Sequence, residues 1–251
     1  HRIARRQRQM CIRDSSSPNQ EHDGLHVARA AQTIDSKTLK TELTEAGNES
    51  LALEGLARQQ GFDTSSAHTA YVDAHNSLKI LRIIKDKHKT SWEKFLGTST
   101  KSSVESILKG EGIYSIFENV KGRNMMYLVC TLHPNHCFHP SYASWGYLWD
   151  LRRDPEPFLN MSVNELKANL KKISPKATRV IKTNKAPIVL DKNFALKEKA
   201  YADLDLETIK KRAELVRSSE KFCKNIQIIN REAAEEKAQT NTQEDLLPEE
   251  T

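Results

Sequence analysis

Gly112-Ile-Tyr-Ser-Ile-Phe-Glu-Asn-Val-Lys-Gly-Arg-Asn-Met-Met-Tyr-Leu-Val-Cys-Thr-Leu132 is where the hydrophobic period of the chain changes from that of helices to that of strands. Its two β-rich runs, Gly112–Phe117 and Asn124–Leu132, flank Lys121-Gly122-Arg123-Asn124, which has the composition of a hairpin turn. Three further short runs follow at 144–151, 178–183 and 187–190. Helical stretches lie between and around them. Ser91–Leu108 reads as one helix, Ser162–Leu170 as another with Ser162 and Glu165 placed for a capping box, and Leu206–Ile229 as a third. The fold class expected is therefore α+β, with the five strands curled into a small barrel and helices inserted between them.

Ahead of residue 112 the pattern is helical. Val27–Ile34 is a short helical or irregular piece and 35–49 a loop. Ser50 is placed to cap a helix whose face is Leu51, Leu53, Leu56 and Ala57, with Gly61 as its stop. A longer helix runs from about 68 to 87, with Ala70, Tyr71, Ala74, Leu78, Leu81 and Ile84 on the 3.6-residue period. Residues 1–24 are polar and arginine-rich, and the run Met10-Cys11-Ile12-Arg13-Asp14-Ser15 reads as adaptor-derived, so this tail is set outside the fold. From 231 to 251 the composition turns to Glu, Gln, Asn and Thr, which reads as a disordered acidic tail or the start of a truncated helical domain.

Composition bounds the function. With 37% hydrophobic and 29% charged residues and no apolar run near the roughly 20 residues of a membrane span, the chain reads as soluble, cytoplasmic and not membrane-bound. The four cysteines, Cys11, Cys130, Cys137 and Cys223, show no disulfide-framework spacing. The net charge of +6 is mostly the five arginines of residues 1–14, but 165–199 holds ten basic residues against three acidic ones. Such a local cluster is what a phosphate backbone follows. Lys171, Lys172, Lys176, Arg179, Lys182 and Lys185 are the candidate strand contacts, and Tyr142 a candidate for stacking on a base. Trp145, Tyr147 and Trp149 alternate, so core packing is expected for at least two of them.

Two constellations could carry chemistry. His68 stands five residues before Asp73, at a helix entrance. Five positions on an ideal helix differ by about 140°, so the two converge only if His68 sits in the loop and Asp73 one turn inside. The bland account is an ordinary first-turn acid favoured by the helix dipole. Cys130, His133, His136, Cys137 and His139 have spacings that suit zinc, and equally suit a buried strand followed by an exposed turn at His133-Pro134-Asn135. No P-loop, GxGxxG or serine-nucleophile motif occurs.

The stretch Leu51-Ala-Leu-Glu-Gly-Leu-Ala-Arg-Gln-Gln-Gly-Phe-Asp-Thr-Ser-Ser-Ala-His68-Thr-Ala-Tyr-Val-Asp73 resembles the last motif of the exodeoxyribonuclease I family, within the DEDD exonuclease superfamily. Leu132-His133-Pro134, the strand ending Trp149-Asp150-Leu151, and Val180-Ile-Lys-Thr-Asn-Lys-Ala-Pro-Ile-Val-Leu190 resemble that family's SH3-like domain. The resemblance runs from about Val27 to about Ala234. It implies that 25–89 is the C-terminal part of a ribonuclease-H-like exonuclease domain, stripped of its sheet and so exposing Leu51, Leu56, Leu78 and Leu81 as a patch, and 90–230 the SH3-like domain. It implies 3′→5′ hydrolysis of single-stranded DNA to nucleoside 5′-monophosphates in DNA repair and recombination, by a monomer using Mg²⁺. Its implied partners are single-stranded DNA and a single-stranded-DNA-binding protein. Asp73 would then be a metal ligand and His68 the base acting on water. The family's Asp-x-Glu first motif and middle Asp have no counterpart, and Thr69 and Ala52 stand where the family has an Asp and a basic residue. The chain therefore reads as an incomplete C-terminal piece, inactive alone. The alternatives are a non-catalytic module holding single-stranded nucleic acid or a protein, and a zinc-binding structural domain.

Overall fold

The computed structural model of the chain describes residues 23–45, 47, 49–65, 69–110, 112–120 and 123–244, with side chains of the last helix described to 237. The first helix, α1 (Gly24–Ile34), starts where the Asp23 carboxylate accepts the N–H groups of Leu25 and His26. These are two of the donors that every helix N-terminus leaves over. Its buried stripe is Val27, Ala28, Ala30 and Ala31. A two-stranded hairpin, β1 (Glu42–Leu43) with β2 (Glu49–Ser50), occupies what the composition suggested was loop. Ser50 thus belongs to a strand. The next helix, α2 (Leu53–Gln59), begins at Ala52 without a side-chain cap. Then follow α3 (Ala70–Lys87) and α4 (Lys89–Leu96).

Helices α1 and α2 both pack on α3. Leu56 is therefore buried, contrary to the expected patch, and Leu78 at 47% exposure is what remains of it on α3. The buried positions of α3 are Asn76, Ile80 and Ile84, so its inner face is rotated away from Tyr71, which is 78% exposed. Polar pins fix the loop between α1 and β1. The Gln32 amide donates to Ser36 O and its oxygen accepts from Leu39 N–H, while Lys87 Nζ donates to the carbonyls of Lys37 and Thr38. His88 Nε2 shares a 2.6 Å hydrogen bond with Thr38 Oγ1.

The expected single helix over 91–108 is two, α4 and α5 (Lys101–Lys109). Between them the buried Thr98 hydroxyl donates to Pro187 O, and Thr100 Oγ1 accepts from Ser103 N–H as a new N-cap.

The strands fall close to where the period placed them: β3 (Ile113–Val120), β4 (Arg123–Thr131), β5 (Trp145–Asp150), β6 (Thr178–Lys182) and β7 (Val189–Asp191). They form one five-stranded sheet in the order β6-β5-β4-β3-β7. No hydrogen-bonded pairing joins β6 to β7, so the sheet is open rather than a closed barrel. The pairing of β4 with β5 sets Cys130 opposite Trp149, and that of β5 with β6 sets Trp145 opposite Lys182 and Tyr147 opposite Val180. The hairpin turn expected at Lys121-Gly122 lies outside the described residues.

Helix α6 (Val163–Lys172) has the full capping box expected of Ser162 and Glu165. The last helical run is again two helices. The first is α7 (Leu206–Ser218), whose N-cap Asp205 accepts from Thr208 N–H, and the second is α8 (Glu220–Glu244). Helix α8 continues through 231–244, where the polar composition suggested fraying. Phe222, Cys223 and Ile226 anchor it, and Lys167 of α6 reaches Glu232 and Glu236.

The chain divides into two compact units: residues 1–104 with 117–126 and 184–190, and residues 105–116 with 127–183 and 191–251. In the second unit Tyr147 and Trp149 are fully buried, with Trp149 edge-on to Phe222 at 5.2 Å. Alternation in that strand was thus core packing for those two residues. Gly146 lies on the opposite face, where a Cβ would stand 2.3 Å from Leu108 Cδ1. The strand needs a residue without a side chain there.

Candidate catalytic segment and nucleic-acid interface

Asp73 sits in the first turn of α3, half-buried, with its N–H bonded to Thr69 O at 3.0 Å. A carboxylate in this place is stabilised by the helix dipole and by nearby unpaired N–H groups. His68 lies outside the described residues, as do Ser66 and Ala67. The loop leading toward them is ordered by short polar contacts. The Asp63 carboxylate accepts from Ser65 N–H at 2.8 Å, which holds it below its usual carboxylate range, and the Asn76 amide donates to Asp63 O. Tyr71 and His75 stack on the exposed side of the same helix, at 6.0 Å and 8°. Among the described residues there is no group of three or more His, Cys, Asp or Glu side chains that could hold a metal ion. Asp73 alone does not make a cation site, and no metal-borne step follows from it.

The proposed strand contacts divide by environment. Lys171, Lys172, Lys176 and Lys182 are exposed in the second unit, and Lys185 is exposed in the first. Lys171 and Lys172 close the last turn of α6, and the loop after it is tied by Arg153, which donates to Ser174 O. Arg179 differs from expectation. It is only 7% exposed, its guanidinium lies 3.5 Å from the centroid of Tyr127, and it stands 3.7 Å from Asp150. That geometry turns it into the unit, away from a strand on the surface.

Asp150 is the centre of this buried network. Arg152 meets its Oδ2 at 2.6 Å, the Tyr201 hydroxyl donates to its Oδ1 at 3.0 Å, and that hydroxyl accepts from Leu128 N–H at 2.8 Å. Nothing in the local sequence announces the network, because Tyr201 lies 51 positions away from Asp150.

Tyr142 stands where an exposed stacking group was sought, at 42% exposure, against Trp145 with centroids 5.0 Å apart. What sequence reasoning missed is the place of His139, named there only as one of five possible zinc ligands. His139 is buried, and its Nδ1 accepts from the N–H groups of Ser141 and Tyr142, both at 3.0 Å. Its partners are backbone groups two and three positions on, so only the geometry of the loop reveals the arrangement. Burial pulls its pKa down, and its Nε2 is enclosed without a hydrogen-bond partner.

Three other members of the Cys/His constellation are engaged. Cys137 Sγ bonds Pro134 O, and His133 Nδ1 accepts from Asn135 N–H. His136 lies between Gln227 and Glu220. Burial pushes Cys130 up to about 12 and Cys137 up to about 11, so both are held as thiols rather than as the thiolates that metals bind. No helix among the described residues is long and apolar enough to cross a membrane.

Residues 122–232 match the family model described as the exonuclease I SH3-like domain. The exodeoxyribonuclease I of Haemophilus influenzae is 23% identical over 192 residues, which is 72% of this chain and 40% of that protein. Among solved structures, E. coli exonuclease I in complex with a dT13 oligonucleotide has a TM-score of 0.62 at 17% identity, covering 84% of this chain and 47% of that one. An ExoI/SSB-Ct complex has a TM-score of 0.61 at 16% identity, with the same coverage. The chain thus spans about two fifths of the length of the curated relative and under half of the solved chains. At these identities the likeness to the solved structures is one of fold.

Proposed function

From the exonuclease I SH3-like domain that occupies residues 122–232, we propose that this chain serves a 3′→5′ exonuclease acting on single-stranded DNA and releasing nucleoside 5′-monophosphates in DNA repair. The family match over those residues is the observation that carries the reading. In it, Asp73 supplies one carboxylate at the head of α3, and His68 the base that takes a proton from water. The reading includes a requirement for Mg²⁺, with Asp73 as one ligand; the described residues do not complete that site. The exposed Lys171, Lys172, Lys176 and Lys185 meet the phosphates of the strand by charge. Arg179 is left out, being buried against Tyr127 and Asp150. A single-stranded-DNA-binding protein is a partner consistent with the solved ExoI/SSB-Ct complex.

The test is release of mononucleotides from a single-stranded oligonucleotide by the whole protein in Mg²⁺. His68→Ala and Asp73→Asn should each cut turnover by a hundred-fold or more, on the order of a lost general base or metal ligand. Unchanged turnover in both variants sinks the site assignment. One observation favours a second reading, a non-catalytic module that binds single-stranded nucleic acid or a protein: the family match covers residues 122–232 and not the segment of His68 and Asp73. Binding of single strands without any Mg²⁺-dependent release by the whole protein would decide for it.

A further inference from the structure

The loop 139–145 of the second unit is tied at every turn. Besides the two N–H groups held by His139, Trp145 N–H bonds Tyr142 O and His139 N–H bonds Trp145 O, both at 2.8 Å, and Thr183 N–H bonds Ser144 O at 2.7 Å. The Tyr142 ring rests on two others. His139 lies 4.6 Å from it, and Trp145 lies 5.0 Å away, tilted by 31°. From the neighbouring edge strand β6, Lys182 Nζ stands 5.4 Å from the Trp145 ring.

We propose that Tyr142, backed by Trp145 and flanked by Lys182, is a platform on which one base of a single strand stacks while its backbone meets the lysine. The proposal rests on the single-stranded-DNA reading above and adds to it the place and manner of one contact. A tyrosine that only covered His139 would need its inner side alone, yet 42% of Tyr142 stays in water. A base stacks on any open π-face, and a cation beside it serves the phosphate. Because the backbone and the ring are already fixed, little ordering cost is left for the ligand to meet. Around Tyr142 the exposed neighbours are Pro140, Ser141 and Ala143. One ring among three small residues falls short of a protein interface, which needs several hundred Å² per side, and suits a single base.

The test is fluorescence anisotropy of the full chain with labelled oligothymidylate and with an abasic strand of the same length. Tyr142→Ala should weaken binding to oligothymidylate by about five-fold or more, the range for loss of one aromatic–base stack. Tyr142→Phe should stay within about two-fold, since it keeps the ring. Lys182→Gln should lower the slope of log affinity against log salt by about one. Abasic-strand binding should not respond to Tyr142→Ala. Equal oligothymidylate affinity of Tyr142→Ala and the unaltered chain overturns the platform and leaves the DNA-holding reading intact. Failure of the unaltered chain to bind either strand overturns both. Tyr142→Phe and Lys182→Gln keep the proposal open to refutation even if Tyr142→Ala folds poorly.

Discussion

Asp150 shows how a single residue can hold a region of the second unit together. Its carboxylate is 1% exposed and meets Arg152, the Tyr201 hydroxyl and, at 3.7 Å, Arg179. Removing one partner of a buried charge network leaves the others desolvated and uncompensated, which typically costs 3–5 kcal/mol. Asp150→Asn should therefore lower the unfolding free energy by about 3 kcal/mol, because two guanidinium groups lose their counter-charge. Tyr201→Phe should cost less, about 1–3 kcal/mol, as it strands the Leu128 N–H and removes one donor to Asp150. Urea unfolding of the two variants checks both the sizes and their order. An Asp150→Asn variant as stable as its parent would show that the network is not energetically coupled. From sequence, Trp149-Asp150-Leu151 gave the end of a strand and Arg179 one more positive charge. Burial of that charge depends on Tyr127 of β4 and Asp150 of β5, and no local pattern carries such information.

Elements were legible where a short-range rule acts alone. The strand period located the five strands of the larger sheet within a few residues, though not β1 and β2, and Ser162 with Glu165 located the start of α6, because a capping box is closed by its own residues. Helix ends that depend on outside partners were not legible. Residues 91–108 carry a continuous helical composition, yet the helix stops at Leu96, where Thr98 turns inward to Pro187 and Thr100 caps a fresh helix. The inner face of α3 was also misassigned toward Tyr71, since α1 and α2 select Asn76, Ile80 and Ile84 instead. The seat of α5 on the sheet gives a test at this scale. A Cβ at Gly146 would lie 2.3 Å from Leu108 Cδ1 and 3.0 Å from Ile181 Cγ2. Gly146→Val should destabilise the protein by about 2 kcal/mol through overpacking. Leu108→Ala in the same chain should recover part of that loss, because neighbouring changes of complementary volume do not add. A strictly additive double variant in thermal or urea unfolding would refute the seat.

For the molecule as a whole, each compact unit contains, among the described residues, one buried histidine whose charging opposes folding. In the first, His88 is held with Thr38, and burial lowers its pKa, with Asp35 acting against that shift and Lys87 adding to it. In the second, burial lowers the pKa of His139, opposed by Glu235 and reinforced by Arg231. A folded-state pKa below the unfolded value near 6.5 means that the unfolded chain binds the proton more readily. Stability from these groups is therefore complete above about pH 6.5 and is lost as pH falls through their lowered folded values. For His139 the effect reaches the proposed platform. Its Nδ1 must be unprotonated to accept from Ser141 and Tyr142, and a proton there breaks both bonds. Unfolding free energy should be lower at pH 5 than at pH 7.5. His88→Asn and His139→Asn should each flatten that dependence while lowering stability at pH 7.5. Oligothymidylate affinity, after the ordinary gain of positive charge at low pH is gauged with the abasic strand, should lose its base-dependent part over the same interval. A base-dependent part that persists at pH 5 in a folded chain would separate Tyr142 from His139 and leave the imidazole a packing role only.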